Sequence, residues 1–117
     1  MNRMIYFLLL LAFATSSCTK DSIPAGTPTC ILDRIEQMKK NPVGNPPQRV
    51  WQYTYKGQVV YYIPPQCCDM PSVLLNANCE TICSPDGGFA GSGDGKCADF
   101  FQTRTNEKLI WQDDRKQ

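Results

Sequence analysis

The chain has 117 residues, among them seven cysteines and no histidine, and its 12 basic residues nearly balance its 11 acidic ones. This length predicts a single domain, and the near-neutral charge argues against nucleic-acid binding, because neutralising many phosphates requires an excess of Lys and Arg. The absence of histidine excludes Ser-His-Asp and Cys-His catalysis as well as histidine-ligated metal sites.

The first segment has the layout of a secretory signal peptide. After Arg3, eleven residues without a charge (MIYFLLLLAFA, 4–14) precede a run of small residues. This apolar run is too short for a membrane-spanning helix, which needs about 20 residues. The sequence therefore predicts export.

Two cleavage sites are compatible with this signal. Ala12-Phe13-Ala14 fits ordinary signal peptidase, which would cut before Thr15. Ser16-Ser17-Cys18 resembles the end of a bacterial lipobox, although Thr15 stands where that motif usually has Leu. Cysteine parity favours the lipobox, because lipidation of Cys18 leaves six cysteines that can pair fully among themselves. The sequence thus predicts a signal peptide over residues 1–17 and lipid attachment at Cys18.

Residues 18–28 are predicted to tether the domain to the membrane. The stretch 19–28 (TKDSIPAGTP) has two prolines and no apolar period, and as a random coil it reaches on the order of 15–20 Å. Removing the signal peptide leaves a neutral chain, so the lipid would hold the domain at the bacterial cell envelope. The expected location is the periplasmic or surface face of the outer membrane.

Residues 29–40 (TCILDRIEQMKK) are the strongest helix prediction, because their apolar members recur at helical spacing. Thr29 is placed to cap the start of this helix, early acidic residues and late lysines complement its dipole, and Asn41-Pro42 ends it. The periodicity favours packing on a core over binding a partner. The apolar stripe consists of Ile31, Leu32, Ile35 and Met38.

The clearest strands are residues 50–55 (VWQYTY) and 58–63 (QVVYYI), which are rich in aromatic and β-branched residues and predict a hairpin around Lys56-Gly57. Trp51, Tyr53 and Tyr55 share one face of the first strand. A core-covering role is favoured for this row over a sugar-stacking platform, because half-buried sheets favour such residues.

The remaining chain predicts shorter elements. A second hairpin is predicted from residues 72–75 and 80–83, with a helix over 73–83 as the alternative. One or two helical turns over 98–103 and a closing strand over 108–112 follow, before a frayed, charged end. Residues 29–117 are thus predicted to form one small α+β domain, with an N-terminal helix packed on a short antiparallel sheet and a glycine-rich loop.

Six cysteines are predicted to form disulfide bonds after export. Each bond is expected to add about 2–4 kcal/mol to the free energy of unfolding. Their 15 possible pairings are not resolved by the sequence. Neighbouring Cys67 and Cys68 are expected to reach different partners, because adjacent residues do not easily meet disulfide geometry. In a reducing compartment the alternative would be a zinc site. The six are Cys30, Cys67, Cys68, Cys79, Cys83 and Cys97.

The glycine-rich stretch is the one candidate site. Ser84-Pro85-Asp86-Gly87 has the chemistry of a tight turn, and residues 87–95 contain five glycines. The stretch does not match a phosphate-binding loop, because Cys97 stands where that motif needs Ser or Thr. It does not match a dinucleotide-binding motif either, because Lys96 stands where that motif needs Gly. The candidate binding residues of this loop are Asp86, Gly87, Gly88, Phe89, Asp94 and Lys96.

The same stretch has two other interpretations. No resident metal or cofactor is predicted, but Asp86, Asp94 and Asp99 are the residues that calcium would use, since carboxylates and loop carbonyls are hard oxygen ligands. Their spacing does not match an EF-hand. A purely structural loop, whose glycines adopt positive φ, is favoured over both a partner-binding loop and a calcium site.

Three motifs carry a resemblance to a group of proteins: Cys67-Cys68-Asp69, residues 82–89 (ICSPDGGF) and residues 93–100 (GDGKCADF). Between about Cys30 and Trp111 the chain resembles an uncharacterised family of small bacterial exported lipoproteins. The resemblance implies an exported single domain and no particular activity. Residues 83–87 also resemble the turn of Kazal-type protease inhibitors, although Gly88-Phe89 replaces the Thr-Tyr of that family.

The sequence therefore predicts a non-enzymatic, membrane-anchored lipoprotein with a binding or structural role. Its expected partners are the membrane, through the lipid, and an unknown envelope or extracellular protein. The alternative is a secreted protease-inhibitor-like domain that uses the same loop. An enzyme built on Asp69, Asp86, Asp94 and Asp99 is disfavoured, because catalysis needs convergent groups with perturbed pKa values.

Overall fold

The computed structural model describes residues 23–117, so the predicted signal peptide, Cys18 and the first part of the tether lie outside the described residues. The described chain forms two helices and a five-stranded antiparallel sheet, which confirms the predicted α+β class. None of its helices has the length and apolar character needed to cross a membrane. The elements are α1 (Thr29–Lys40), β1 (Arg49–Tyr55), β2 (Gln58–Ile63), β3 (Val73–Leu75), β4 (Thr81–Cys83), α2 (Phe100–Thr103) and β5 (Thr105–Gln112).

The strands lie in the order β4-β3-β2-β1-β5. The predicted β1–β2 hairpin is confirmed, with Trp51 opposite Tyr62 and Tyr55 opposite Gln58. Lys56 and Gly57 connect the strands with φ angles of 49° and 75°. Positive φ at both turn positions is the conformation that suits the right-handed twist of a tight hairpin.

The second predicted hairpin is also confirmed, as β3 and β4, and the competing helix over 73–83 is wrong. Asn76 closes its turn: the side-chain Oδ1 accepts hydrogen bonds from the backbone N–H groups of Asn78 at 2.9 Å and Glu80 at 3.0 Å. An amide that binds its own backbone two and four residues further on stabilises a turn rather than a helix.

Helix α1 has the predicted bounds and packs on one face of the sheet. Ile31, Ile35 and Met38 are buried there. The cap prediction is wrong: Thr29 is the first helical residue, Pro28 precedes it, and no side chain caps the first turn. The sheet residues of this core are Val50, Tyr61, Ile63, Leu75, Ile110 and Trp111.

The opposite face of the sheet is covered by the segment that follows β4. Phe100 of α2 is completely buried there, beside Cys83 and Cys97. Tyr53 and Tyr55 point into this second core and are each only 4% exposed. The core-covering interpretation of the aromatic row is thus confirmed for both tyrosines.

The chain end after β5 is held in place, contrary to the expected fraying. Asp113 is buried, and its carboxylate accepts hydrogen bonds from the Arg115 guanidinium at 2.8 and 2.9 Å. Arg115 also donates to the carbonyls of Lys39 and Asn41 at the end of α1. A cation at the C-terminus of a helix satisfies carbonyls that have no partner within the helix and favours the helix dipole. Strand β5 is also longer than predicted, since it begins at Thr105.

The described part of the predicted tether is packed rather than free. Ile23 lies against the α1 side of the core. The backbone N–H and the hydroxyl of Thr27 both donate to the carbonyl of Pro24, at 3.3 and 2.7 Å. One apolar side chain and a turn thus join residues 23–28 to the core.

All six cysteines of the described chain are paired, which confirms the disulfide prediction: Cys30–Cys79, Cys67–Cys68 and Cys83–Cys97. The expectation of different partners for Cys67 and Cys68 is wrong, because the other four cysteines pair among themselves. The bridged residues are separated by 49, 1 and 14 positions respectively. Loop-closure entropy gives about 4 kcal/mol for the longest loop, about 3 for the 14-residue loop and less than about 1 for adjacent residues.

Candidate functional site

The glycine-rich loop, residues 84–97, lies over the second core and is closed at its base by the Cys83–Cys97 disulfide. The two cysteines are 2% and 3% exposed. The Ser84 carbonyl accepts a hydrogen bond from the backbone N–H of Asp94 at 3.0 Å, so residues on both sides of the loop are joined above the disulfide. The loop is therefore a closed structure fixed at two levels.

Asp86 fixes the first half of this loop to the sheet. Its carboxylate Oδ1 accepts a hydrogen bond from the Tyr62 hydroxyl at 2.7 Å. Its backbone is held by Ser72, a completely buried residue: the Ser72 hydroxyl donates to the Asp86 carbonyl at 3.0 Å and accepts from the Asp86 N–H at 3.1 Å. Asp86 thus serves as an anchor of the loop and not as an open binding group.

Asp94 fixes the second half. Its two carboxylate oxygens accept hydrogen bonds from the backbone N–H groups of Lys96 at 3.0 Å and Ser84 at 3.1 Å. The bond from Lys96, followed by that from Ser84, lowers the pKa of the Asp94 carboxyl, because donated hydrogen bonds stabilise the charged form. Lys96 therefore takes part in the loop through its backbone, while its side chain is exposed to solvent.

Two glycines in the loop are required by close backbone approach. Gly93 has a φ of 69°, and a Cβ added there would meet the Ser84 carbonyl oxygen and lie 2.8 Å from the Asp86 nitrogen. Gly87 has a φ of 74°, and a Cβ there would lie 2.6 Å from the Met70 carbonyl oxygen. The two glycines are joined directly, since Gly93 N–H donates to the Gly87 carbonyl at 3.0 Å.

Replacing Gly93 by alanine is expected to lower the free energy of unfolding by about 2 kcal/mol or more, because the left-handed backbone costs about 1–2 kcal/mol and the Cβ also displaces backbone. Gly91→Ala is the matched control, since φ there is 75° but no atom lies within 4 Å of the added Cβ. That variant should lose only about 1 kcal/mol. Urea unfolding of both variants measures the difference, and equal losses would contradict the close approach at Gly93.

The tip of the loop exposes an aromatic ring. A turn is closed by the Gly91 N–H, which donates to the Gly88 carbonyl at 3.2 Å. Phe89 stands on this turn and is 95% exposed. The Gly88 N–H donates to the Met70 carbonyl at 3.1 Å, so the tip lies beside the segment that contains Met70, itself 54% exposed. Of the predicted binding residues, Phe89 thus exposes almost its entire side chain to solvent.

Beneath the loop, three tyrosine hydroxyls donate to three carboxylates, an arrangement that the sequence did not indicate. Besides the Tyr62–Asp86 bond, Tyr55 donates to Asp99 at 2.6 Å and Tyr53 to Glu107 at 2.8 Å. The Arg104 guanidinium lies 4.6 Å from the centre of the Tyr53 ring. These hydrogen bonds, together with the burial of the tyrosine rings, connect the second core and the loop in one polar and aromatic network.

The pKa values of this network favour a structural role. Burial, together with the bond to Glu107, raises the pKa of the Tyr53 hydroxyl to about 12. Burial is also the main cause of the raised pKa of Tyr62, and the bond from Tyr55 lowers the pKa of the Asp99 carboxyl. The tyrosines therefore stay protonated and the Asp99 carboxylate stays ionised near neutral pH, which keeps each donor and acceptor matched.

The three calcium candidates are not brought together. Asp86, Asp94 and Asp99 are engaged separately by Tyr62, by backbone N–H groups and by Tyr55. Within residues 23–117 no three Asp, Glu or Cys side chains form a group that could hold a metal ion. The calcium interpretation thus loses its geometric support, because each carboxylate already has a donor partner of its own.

Residues 36–113, more than half of the chain, match a domain of unknown function, DUF6970. The chain belongs to the DUF6970 family. No curated protein and no solved structure matches it. The DUF6970 region contains the whole sheet, the glycine-rich loop and five of the six paired cysteines, while Cys30 and the first turns of α1 precede it. The expected membership of an uncharacterised family is confirmed, and DUF6970 brings no assigned activity with it.

Proposed function

We propose that this protein is a membrane-anchored bacterial lipoprotein whose DUF6970 domain presents the tip of the glycine-rich loop to an envelope protein partner without catalysis. The pairing of cysteines is the observation that supports the anchor. Six cysteines are bonded to one another in the described chain, so none of them is left to pair with Cys18. A seventh cysteine outside a complete set fits covalent use of its thiol, and the lipobox-like position of Cys18 supplies that use.

The packing of Ile23 limits how far the domain could lie from the anchor. Between the Cα atoms of Cys18 and Ile23 the chain can span at most about 18 Å. Because Ile23 is joined through the Pro24–Thr27 turn to the start of α1, a lipid on Cys18 would keep this end of the domain near the membrane. The Cys30–Cys79 disulfide lies at the same end of the domain, because Cys30 belongs to the first turn of α1.

The loop tip lies at the other end of α1. The helix has 12 residues and is therefore about 18 Å long. Met38 and Asn41 at its C-terminal end line a cleft of about 390 Å³ together with Gln66 and Met70, and Met70 is bonded to the loop tip. Phe89 and Met70 therefore lie toward the end of α1 opposite the attachment point, where a protein partner would have access. The closed turn under Phe89 supports this proposal more than the protease-inhibitor alternative, because proteases bind extended segments.

Lipid attachment is tested by expressing the full chain and the Cys18→Ala variant in bacteria and measuring intact mass and membrane partition. The unaltered chain should be found in the membrane fraction, with a mass that shows an acylated N-terminal Cys18. The Cys18→Ala variant should lack the acyl mass and leave the membrane fraction. Thr15→Leu, which restores the usual lipobox residue, is the matched control and should stay membrane-bound. A mature chain that begins at Thr15 and carries a free thiol would refute the anchor.

The partner is tested in the same cells by placing a photo-crosslinking residue at Phe89. A discrete protein adduct should form there. Val59, which is 44% exposed and lies beside the Asn76–Asn78 turn, is the control position. An identical adduct pattern at Val59, or no adduct at Phe89, would contradict a binding role for the loop tip.

A further inference from the structure

We infer that the Cys67–Cys68 disulfide is a thiol-exchange site that accepts two electrons from a dithiol protein, with Met70 and Phe89 as the apolar contact surface beside it. The inference goes beyond the proposed anchoring and does not depend on it. It rests on the position of this disulfide in the chain, its exposure and the contacts of the residues on either side.

The first observation is that this disulfide holds no distant parts of the fold together. Cys30–Cys79 joins α1 to the β3–β4 turn, and Cys83–Cys97 closes the glycine-rich loop. Cys67–Cys68 joins adjacent residues, so it restricts the unfolded chain least of the three. A bond that contributes little to folding can open and close without loss of the domain.

Solvent exposure also distinguishes the Cys67–Cys68 disulfide from the other two. Cys67 and Cys68 are both exposed, whereas Cys83 and Cys97 are buried and Cys30 and Cys79 are half-buried. Thiol–disulfide exchange requires a thiolate to reach one of the bonded sulfurs. Within the described chain, Cys67–Cys68 is therefore the disulfide most accessible to another protein.

The third observation is that fixed contacts bracket the exposed pair. The Cys67 N–H donates to the Asn45 carbonyl at 2.6 Å, and the Met70 carbonyl accepts from Gly88 at 3.1 Å. Just beyond, the buried Ser72 donates through its N–H to the Asp86 carbonyl at 3.0 Å. Opening the disulfide therefore affects residues 67–69 and leaves their flanks, the sheet and the loop anchor in place.

The surroundings provide a surface for a partner. Met70 is 54% exposed and Phe89 is 95% exposed, and the bond between Gly88 and Met70 keeps the two side chains on neighbouring segments. Gln66 and Met70, which flank the disulfide in sequence, both line the cleft of about 390 Å³ at the end of α1. Exposed apolar side chains beside a reactive group and an open cleft suit the docking of a protein segment.

Two electrons are transferred in two successive thiol–disulfide exchanges. A thiolate of the partner attacks the sulfur of Cys67 or Cys68, forming a mixed disulfide and releasing the other cysteine as a thiolate, which takes up a proton. The second thiol of the partner, after losing its proton, attacks the mixed disulfide. The products are a Cys67, Cys68 dithiol and an oxidised partner, and two electrons have passed to this protein.

The first test is graded reduction of the purified, folded full chain with dithiothreitol, followed by alkylation and peptide mass analysis. Cys67 and Cys68 should become alkylated at a reductant concentration about tenfold or more below that needed for the other four cysteines. The aromatic bands of the near-ultraviolet circular dichroism, which report the packing of tyrosine and tryptophan side chains, should not change at that point. The Cys67→Ala, Cys68→Ala double variant is the control and should lack this early pair of thiols.

Reduction of Cys67–Cys68 together with or after another disulfide, or only on unfolding, would overturn the inference. So would alkylation of both cysteines before any reductant is added to the oxidised protein. The Cys18→Ala variant should give the same reduction curve, so a failure of the exchange site and a failure of the lipid anchor are distinguishable.

The second test separates the contact surface from the disulfide itself. Thioredoxin serves as the dithiol protein and dithiothreitol as the small-molecule comparison. The Met70→Ser, Phe89→Ser double variant should be reduced by thioredoxin several-fold more slowly than the unaltered chain and by dithiothreitol at the same rate. Equal rates with thioredoxin for the two proteins would remove Met70 and Phe89 from the site.

Discussion

Replacing both Cys30 and Cys79 by alanine is expected to lower the free energy of unfolding by about 4 kcal/mol. The disulfide closes a loop of 49 positions. When the link is lost, the unfolded chain gains conformational entropy, which lowers its free energy by about 4 kcal/mol. Both residues also pack against the α1 core. A small domain has a total stability of about 5–15 kcal/mol, so this single link is a large part of it. Urea unfolding of the double variant gives the value.

The matched control for this prediction is the Cys67→Ala, Cys68→Ala variant. It removes the same number of sulfur atoms but opens a link between adjacent residues, so the expected loss is less than about 1 kcal/mol. Comparable losses in the two double variants would show that loop length does not govern the contribution of these disulfides.

Replacing Phe100 by alanine is expected to lower the free energy of unfolding by about 3–5 kcal/mol, as is usual for a completely buried aromatic side chain. The Phe100 ring is fully buried and lies edge-on to those of Tyr53 and Tyr55, with ring centres 5.6 and 5.3 Å away. Its centre also lies 5.6 Å from that of Tyr62, which holds Asp86. A cavity at Phe100 should therefore also loosen the glycine-rich loop, which faster amide exchange at Gly87 and Gly93 would report.

Phe101 provides the control for the cavity. It is the next residue in α2 and is 38% exposed, with its ring centre 5.2 Å from that of Phe100. Phe101→Ala keeps the core filled and should cost about 1 kcal/mol. If Phe101→Ala were as destabilising as Phe100→Ala, the second core would not be organised around Phe100.

The helix and the two hairpins could be predicted because their patterns are local. The apolar stripe of α1 repeats with the helical period, and the Lys56-Gly57 and Asn76–Asn78 turns carry residues that favour tight connections. In each case the physical cause lies within a few turns of chain or in one type of side chain.

The polar network of the site could not be predicted, because its partners are distant in sequence. The tyrosines of β1 were predicted to be core residues, but their hydroxyls meet Asp99 and Glu107 across 44 and 54 positions, and that of Tyr62 in β2 meets Asp86 across 24. The pairing of Cys67 with Cys68 likewise followed from where the other four cysteines lie. The Arg115 contacts at the end of α1 span more than seventy positions, beyond the range of any periodic pattern.

The strand order has a consequence for how the chain is made. Strands β1 to β4 are neighbours in the sheet in the same order as in the sequence, but β5 returns to lie against the outer side of β1. A chain that is synthesised from its N-terminus thus completes four strands while the outer edge of β1 still has no strand partner. A bare edge is a template for pairing with another chain. The interval before residue 112 emerges is therefore the period in which nascent copies are most prone to aggregate with each other.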